Sequence, residues 1–153
     1  MQILTKNTGI KVLSLFIYLI PLALLTGPFL PDLFLSLSAI IFLIIVLADR
    51  NYKYFKNIFS YLFLSFCFII IFSSILSEFK YFSLESSLVY VRFGLFALAV
   101  WFVIDNNRFF LKNFTIIFSI IMIFCVVDGY YQYLSGVSIF GYNTYDGFRL
   151  TLP

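Results

Sequence analysis

The sequence of 153 residues contains no histidine, and charged residues make up only 11% of it. Histidine is the commonest general base, metal ligand and pH switch near neutrality, so any chemistry of this chain has to use Arg, Lys, Asp, Glu or Tyr. The two cysteines, Cys67 and Cys125, both lie in apolar runs, where a cysteine usually packs as a small hydrophobic residue. We assign neither a disulfide nor a metal to them, and no Gly-rich phosphate loop or CxxC motif is present. We therefore predict no cofactor.

Apolar residues are what the sequence has in excess, at 63% of the chain against about 45 to 50% in a typical soluble domain. Five apolar runs predict membrane-spanning helices at about residues 12–27, 33–48, 58–76, 84–104 and 114–134. The first run also suits a secretory signal peptide, but no small-x-small cleavage site follows it, and we prefer an uncleaved first span. The predicted fold is an all-α transmembrane helix bundle with five spans, followed by an extracytoplasmic tail over residues 135–153.

Turn residues and a basic aromatic segment separate the first three spans. Pro21 predicts a kink in the first span, and the sequence from Gly27 to Pro31 predicts a turn, after which Asp32 caps the second helix. Residues 49–57 interleave three cations with Tyr52, Tyr54 and Phe55. Such a pattern is found in RNA-binding proteins, but between two spans it indicates a cytoplasmic loop with aromatic side chains at the headgroup level. We therefore predict the lipid bilayer as a partner and exclude nucleic acid.

Lysine and arginine are distributed unequally between the two sides of the predicted bundle. Seven fall in the N-terminal segment and the loops that share its side, namely Lys6, Lys11, Arg50, Lys53, Lys56, Arg108 and Lys112. Only Lys80 and Arg149 fall on the opposite side, and Arg92 lies inside a span. The positive-inside rule then predicts a cytoplasmic N-terminus and an outward tail.

Two charged residues, Arg92 and Asp128, fall inside predicted spans, where a charge at the bilayer centre costs about 2.5 to 3.5 kcal/mol on insertion scales. Counted from the outer ends of two consecutive antiparallel spans, they lie at similar depth. We predict that they face one another or share a polar cavity that opens outward. A purely stabilising pair is one interpretation. The other is that Arg92 contributes to an anionic substrate site, because a guanidinium group matches phosphate oxygens in a bidentate way.

A family resemblance is carried by the last predicted span and the segment after it. The residues concerned are Asp128, Gly129, Tyr131, Gln132, Gly136, Phe140, Gly141 and Arg149, preceded by Tyr90, Val91, Arg92 and Phe93 on the span before. This pattern resembles the N-terminal half of the O-antigen ligase and O-antigen polymerase family, multi-pass glycosyltransferases of the bacterial inner membrane. The resemblance implies transfer of a glycan from an undecaprenyl-diphosphate carrier at the outer membrane face, without metal or nucleotide sugar, in lipopolysaccharide or polysaccharide biosynthesis.

The resemblance also implies roles for individual residues. Arg92 and Arg149 are the candidates for binding the diphosphate or glycan, and Asp128 and Gln132 are the candidates for structural or site-orienting roles. The family's large extracytoplasmic loop and the histidine of its ligase members are absent, so we expect the front part of a longer protein that is inactive by itself. Two alternatives stay open: a transporter or flippase, with Arg92 and Asp128 along its translocation path, and a non-catalytic membrane subunit.

Overall fold

A computed structural model describes residues 2–137 and residue 139. This part of the chain consists mainly of five helices: α1 (Gln2–Ala23), α2 (Phe29–Asp49), α3 (Ile58–Ile75), α4 (Lys80–Asn106) and α5 (Phe110–Ser135). Each helix is long and apolar enough to cross a membrane. The predicted all-α bundle with five spans is therefore confirmed, and the chain is a multi-pass membrane protein. The side on which the N-terminus lies stays a prediction.

Helix α1 ends two residues after Pro21, where the chain tightens into a 3-10 turn at Leu24–Thr26. Gly27 follows with φ of 113°, a backbone conformation that glycine adopts without steric cost. Pro28 then occupies the cap position of α2, and no side chain caps the helix there. The prediction that Asp32 caps α2 is therefore wrong: Asp32 lies within the first turn, and its carboxylate is available to another helix.

The packed core lies at one end of the bundle, which we call the basic end. This end holds the start of α1, the α2–α3 loop and the α4–α5 loop. The two loops with the adjoining helix ends, residues 49–57 and 105–113, carry five cations and two carboxylates. Phe42 of α2 and Phe102 of α4 meet there, with ring centroids 5.7 Å apart. Tyr54, from a 3-10 turn at Tyr52–Phe55, packs on both rings and is only 4% exposed. The ring of Tyr54 therefore completes the core, and the prediction that the loop aromatics lie at the headgroup level stays a prediction.

Close contact between α3 and α4 depends on small residues. A Cβ atom on Gly94 would lie 2.1 Å from Cε1 of Phe63, so the phenyl ring of α3 packs directly on the backbone of α4. Nearer the opposite end, the hydroxyl groups of Ser74 and Ser87 form a buried hydrogen bond between the two helices. Among the serines of α3, Ser60 and Ser74 are buried, whereas Ser65 and Ser73 are exposed.

Helix α5 contacts the bundle mainly near its start. Phe110 is buried, its ring stacks on Tyr18 of α1 at 5.0 Å, and its carbonyl accepts a 3.4 Å hydrogen bond from the Tyr18 hydroxyl. Every residue from Thr115 to Val127 is half-buried or exposed. The middle of α5 is therefore not part of the packed core, and its apolar side chains suit contact with lipid.

Candidate functional site

The intramembrane arginine forms a two-pronged ion pair with α2. Nη2 of Arg92 lies 2.6 Å from Oδ1 of Asp32, and Nη1 donates to Oδ2 of the same carboxylate at 2.8 Å. Nη1 also donates to Oγ of Ser36 at 3.2 Å, and this hydroxyl in turn donates to the Asp32 carbonyl at 2.9 Å. Both terminal nitrogens of the guanidinium group are thereby oriented by one turn of α2.

The predicted pairing of Arg92 with Asp128 is wrong. Arg92 binds Asp32, and the Asp128 carboxylate accepts a hydrogen bond from the backbone N–H of Ile139 at 2.7 Å. Matched depth along two spans does not show which neighbour a side chain faces. Here α4 packs along α2, whereas α5 contacts the bundle mainly near its start, about 27 Å before Asp128 at 1.5 Å per residue.

Asp128 instead contacts the turn that directly follows α5. Gly136 ends the helix with φ of 77°, a left-handed conformation, and its N–H donates to the Gln132 carbonyl at 2.9 Å. The chain turns back there, so that the N–H of Ile139 reaches the carboxylate of Asp128. Asp128 and Gln132 are both buried, with 2% and 1% of their surface exposed, respectively. Arg149, the second candidate for substrate binding, lies outside the described residues.

An open cleft of about 420 Å³ lies beside the ion pair. It is lined by Glu85, Ser86, Val89, Tyr90, Arg92 and Phe93, all from α4. The Arg92 side chain is 29% exposed, and its guanidinium carbon lies 5.3 Å from the ring centroid of Phe93, within cation–π range. The cleft therefore combines one cation with two aromatic rings and one acid.

The hydrogen-bonding capacity of Arg92 is not saturated by protein groups. A guanidinium group has five N–H donors, and the buried Nε of Arg92 has no hydrogen-bond partner among the described residues. Asp32 is in the first turn of α2, so the pair lies close to that end of α2, whereas Arg92 is near the middle of α4. The two side chains are 29% and 46% exposed, and their mutual neutralisation lowers the cost of placing the charges in membrane helices.

A second polar cluster, which the sequence did not predict, lies at the basic end around Tyr54. The Tyr54 hydroxyl donates to Oδ2 of Asp105 at 3.3 Å and accepts from Nδ2 of Asn106 at 3.4 Å. Nζ of Lys53 lies 3.8 Å from the same Asp105 oxygen. Burial raises the pKa of Tyr54 above its usual value of 10, and the nearby Asp105 carboxylate raises it further, whereas the Asn106 hydrogen bond lowers it. The cluster therefore holds a neutral tyrosine between two loops.

Sequence signals for Asp32 and Tyr54 were weak but present. Asp32 follows Pro31 at the start of an apolar span, so it was interpreted as a helix cap, although an acid near the end of a span is also a potential partner for an arginine in a neighbouring span. Tyr54 stands in a cationic loop, where an interfacial position is the usual expectation for an aromatic residue. Neither contact follows from spacing alone, since both join residues far apart in the chain.

Neither metal chemistry nor a recognised family identifies this site. The described residues contain no group of three or more His, Cys, Asp or Glu side chains that could hold a metal ion, and Cys67 and Cys125 are both free thiols. No family model, no curated protein and no solved structure matches the chain. Five membrane helices with an arginine-containing cleft are therefore the basis on which a function is inferred.

Proposed function

We propose that this chain is the front part of an O-antigen ligase/polymerase-like glycosyltransferase of the bacterial inner membrane, and that Arg92 contacts the diphosphate of an undecaprenyl-diphosphate-linked glycan. The observation that carries the proposal is a partly exposed arginine on a membrane helix that lines an open cleft. The cleft lies away from the basic end, on the side that the positive-inside rule assigns to the outer face. A polyprenyl carrier keeps its tail in the bilayer and its diphosphate near the interface, where Arg92 is accessible.

The chemistry of the cleft suits a phosphate group attached to a sugar. The guanidinium of Arg92 presents two parallel N–H donors, the arrangement that matches two oxygens of a phosphate. In the free protein these donors bind Asp32, which neutralises the arginine inside the membrane. A diphosphate carries more negative charge than one carboxylate, so we propose that it displaces Asp32 from the guanidinium. The rings of Tyr90 and Phe93 then provide apolar faces for the first sugar.

Binding of the carrier lipid tests the proposal directly. The full chain is purified in detergent micelles and titrated with undecaprenyl diphosphate, and binding is followed by microscale thermophoresis. Arg92→Gln removes the charge but keeps a polar side chain, and we expect it to weaken binding about tenfold, as loss of one charged hydrogen-bonding group predicts. The matched control is Lys80→Gln, which removes an exposed cation from the same helix outside the cleft.

Two outcomes contradict the proposal. Equal binding by Arg92→Gln and the unmodified protein excludes contact between Arg92 and the diphosphate. An equal loss in Lys80→Gln shows that only general electrostatic attraction is being measured. Undecaprenol, which has the same tail without phosphate, serves as the ligand control, because its binding does not depend on Arg92 in the proposed site.

One observation favours a second candidate, a membrane subunit without chemistry of its own. Asp32 and Ser36 already occupy both terminal nitrogens of Arg92, which is what a contact that only holds α2 against α4 requires. In that case Arg92→Gln lowers the stability of the bundle while binding of undecaprenyl diphosphate is weak and insensitive to the substitution. Both candidates predict that Arg92→Gln lowers the stability of the bundle, so the titration distinguishes them, and a thermal unfolding curve only shows that the variant is folded during the titration.

A further inference from the structure

The two loops at the basic end are joined into one surface. The segment from Arg50 to Asn57 is ordered by local hydrogen bonds: Arg50 closes α2 in a left-handed conformation with φ of 50°, and Asn57 caps α3 by accepting from the N–H of Ser60 at 2.9 Å. Tyr54 connects this segment to the end of α4 through Asp105 and Asn106. The α2–α3 and α4–α5 loops therefore keep a fixed relative position.

The side chains that this surface presents are cations and apolar groups. All five cations of the two loops are exposed: Arg50, Lys53, Lys56, Arg108 and Lys112. Only Lys53 forms an ion pair within the described part of the chain, with Asp105. Between the cations stand large exposed apolar residues, among them Ile58 at 73%, Phe109 at 70% and Tyr52 at 44% exposure.

We propose that the linked basic loops form a binding surface for the headgroups of anionic phospholipids. Charge complementarity favours anionic phospholipids as the ligand, because arginine and lysine bind their phosphodiester groups. The surrounding aromatic and aliphatic side chains enter the boundary between headgroups and acyl chains. The opposite end of the bundle provides an internal contrast. Its described loops and helix ends carry Asp32, Glu78 and Glu85 but only one cation besides Arg92, Lys80. Anionic lipids are therefore bound at one end only.

The fixed position of the loops distinguishes this surface from a general positive charge. Loops that move independently lose conformational freedom when each binds a lipid, and that loss opposes binding. Here Tyr54 holds the two loops together before any lipid arrives, with its ring between Phe42, Trp101 and Phe102. Phosphodiester groups consequently meet a preformed arrangement of cations.

Lipid selectivity of the purified chain tests the inference. The protein is equilibrated in detergent with equal amounts of phosphatidylglycerol and phosphatidylcholine, and retained lipids are counted by native mass spectrometry. We expect retained phosphatidylglycerol to exceed phosphatidylcholine by about fivefold or more, since one cation near an anionic surface contributes about that factor. The triple variant Arg50→Gln, Lys56→Gln and Arg108→Gln leaves two of the five cations and should lose most of this preference, whereas the matched variant Lys80→Gln keeps it.

A salt titration provides a measurement that does not depend on any variant. Raising the ionic strength shortens the range of the electrostatic attraction, so the preference of the unmodified protein for phosphatidylglycerol should fall steadily with added salt. A triple variant that keeps the full preference, a Lys80→Gln variant that loses it, or a preference unaffected by salt overturns the inference. Circular dichroism of each variant shows whether the helices are intact.

Discussion

The ion pair between Arg92 and Asp32 allows a quantitative test of how α2 and α4 are held together. Its side chains are 29% and 46% exposed, so it lies between an exposed pair, which contributes about 0.2 to 1 kcal/mol, and a buried one, whose disruption costs about 3 to 5 kcal/mol. Two charge-assisted hydrogen bonds in parallel favour the middle of that range. We expect Asp32→Asn and Arg92→Gln each to lower the free energy of unfolding by about 2 kcal/mol, and the double variant to lower it by about the same amount.

The assay uses the only tryptophan of the chain, Trp101, whose ring packs edge-on against Tyr54 at 5.8 Å. Its fluorescence reports loss of the packed core during reversible unfolding in mixed micelles. A second double-mutant cycle, with Glu78→Gln and Lys80→Gln, serves as the control, because both charges are exposed and lie at the same end of the bundle as Asp32. The interaction energy between Glu78 and Lys80 should stay below about 0.5 kcal/mol. If the effects of Asp32→Asn and Arg92→Gln simply add, the two side chains do not interact, and the geometry of the proposed site is refuted.

Four further predictions concern the core and the chain after α5. Tyr54→Phe should cost about 1 kcal/mol of unfolding free energy and Tyr54→Ala about 3 to 5 kcal/mol, both measured by Trp101 fluorescence; equal costs would show that the ring is not packed as described. The pKa of Tyr54 is raised in the folded state, so its neutral form favours folding. This contribution to the free energy of unfolding is fully present below about pH 10 and is lost as pH rises through the folded-state pKa. In Tyr54→Phe, the free energy of unfolding should therefore fall less between neutral and alkaline pH. Gly94→Leu should lower the free energy of unfolding by about 1 to 3 kcal/mol, because the new side chain collides with the Phe63 ring. Ala97→Leu, at an exposed position of α4, should leave it nearly unchanged. Similar effects of the two substitutions would contradict the close contact. Asp128→Ala should speed hydrogen exchange of the Ile139 amide, measured by mass spectrometry of the fragment that contains it, and unchanged exchange would contradict the hydrogen bond between them.

Hydropathy predicted the number of helices because each span has to fill the hydrocarbon layer with apolar side chains, and that requirement is local in sequence. It did not give the helix ends, since α4 begins at Lys80 and α5 at Phe110, outside the predicted apolar spans. The added segments, residues 80–83 and 110–113, mix lysine, serine or asparagine with aromatic and aliphatic residues, so they do not form part of a continuous apolar run. Counted from the observed start of α4 at Lys80, Arg92 is therefore near the middle of the helix.

The partners of charged residues were not predictable for a different reason. Depth along a span follows from counting residues, but the direction a side chain faces depends on which helices are neighbours. The sequence predicts Asp128 as the partner of Arg92 because the two spans are consecutive in the chain and the two charges lie at similar depth. The arginine instead faces α2, which is separated from α4 by a whole helix in sequence. Tyr54 illustrates the same limit, because its burial depends on a gap between Phe42 and Phe102 that only the assembled bundle creates.

The unequal packing of the two ends has a mechanical consequence. Rings of Phe42, Tyr54 and Phe102 fill the space between α2 and α4 at one end, so we expect any small tilt of one helix against the other to pivot there. Asp32 lies about 15 Å further along α2, and the displacement produced by such a tilt grows with that distance. If a ligand in the cleft binds the guanidinium of Arg92 in place of Asp32, α2 and α4 lose a contact far from the packed rings. We then expect the two helices to separate most at this end of the bundle.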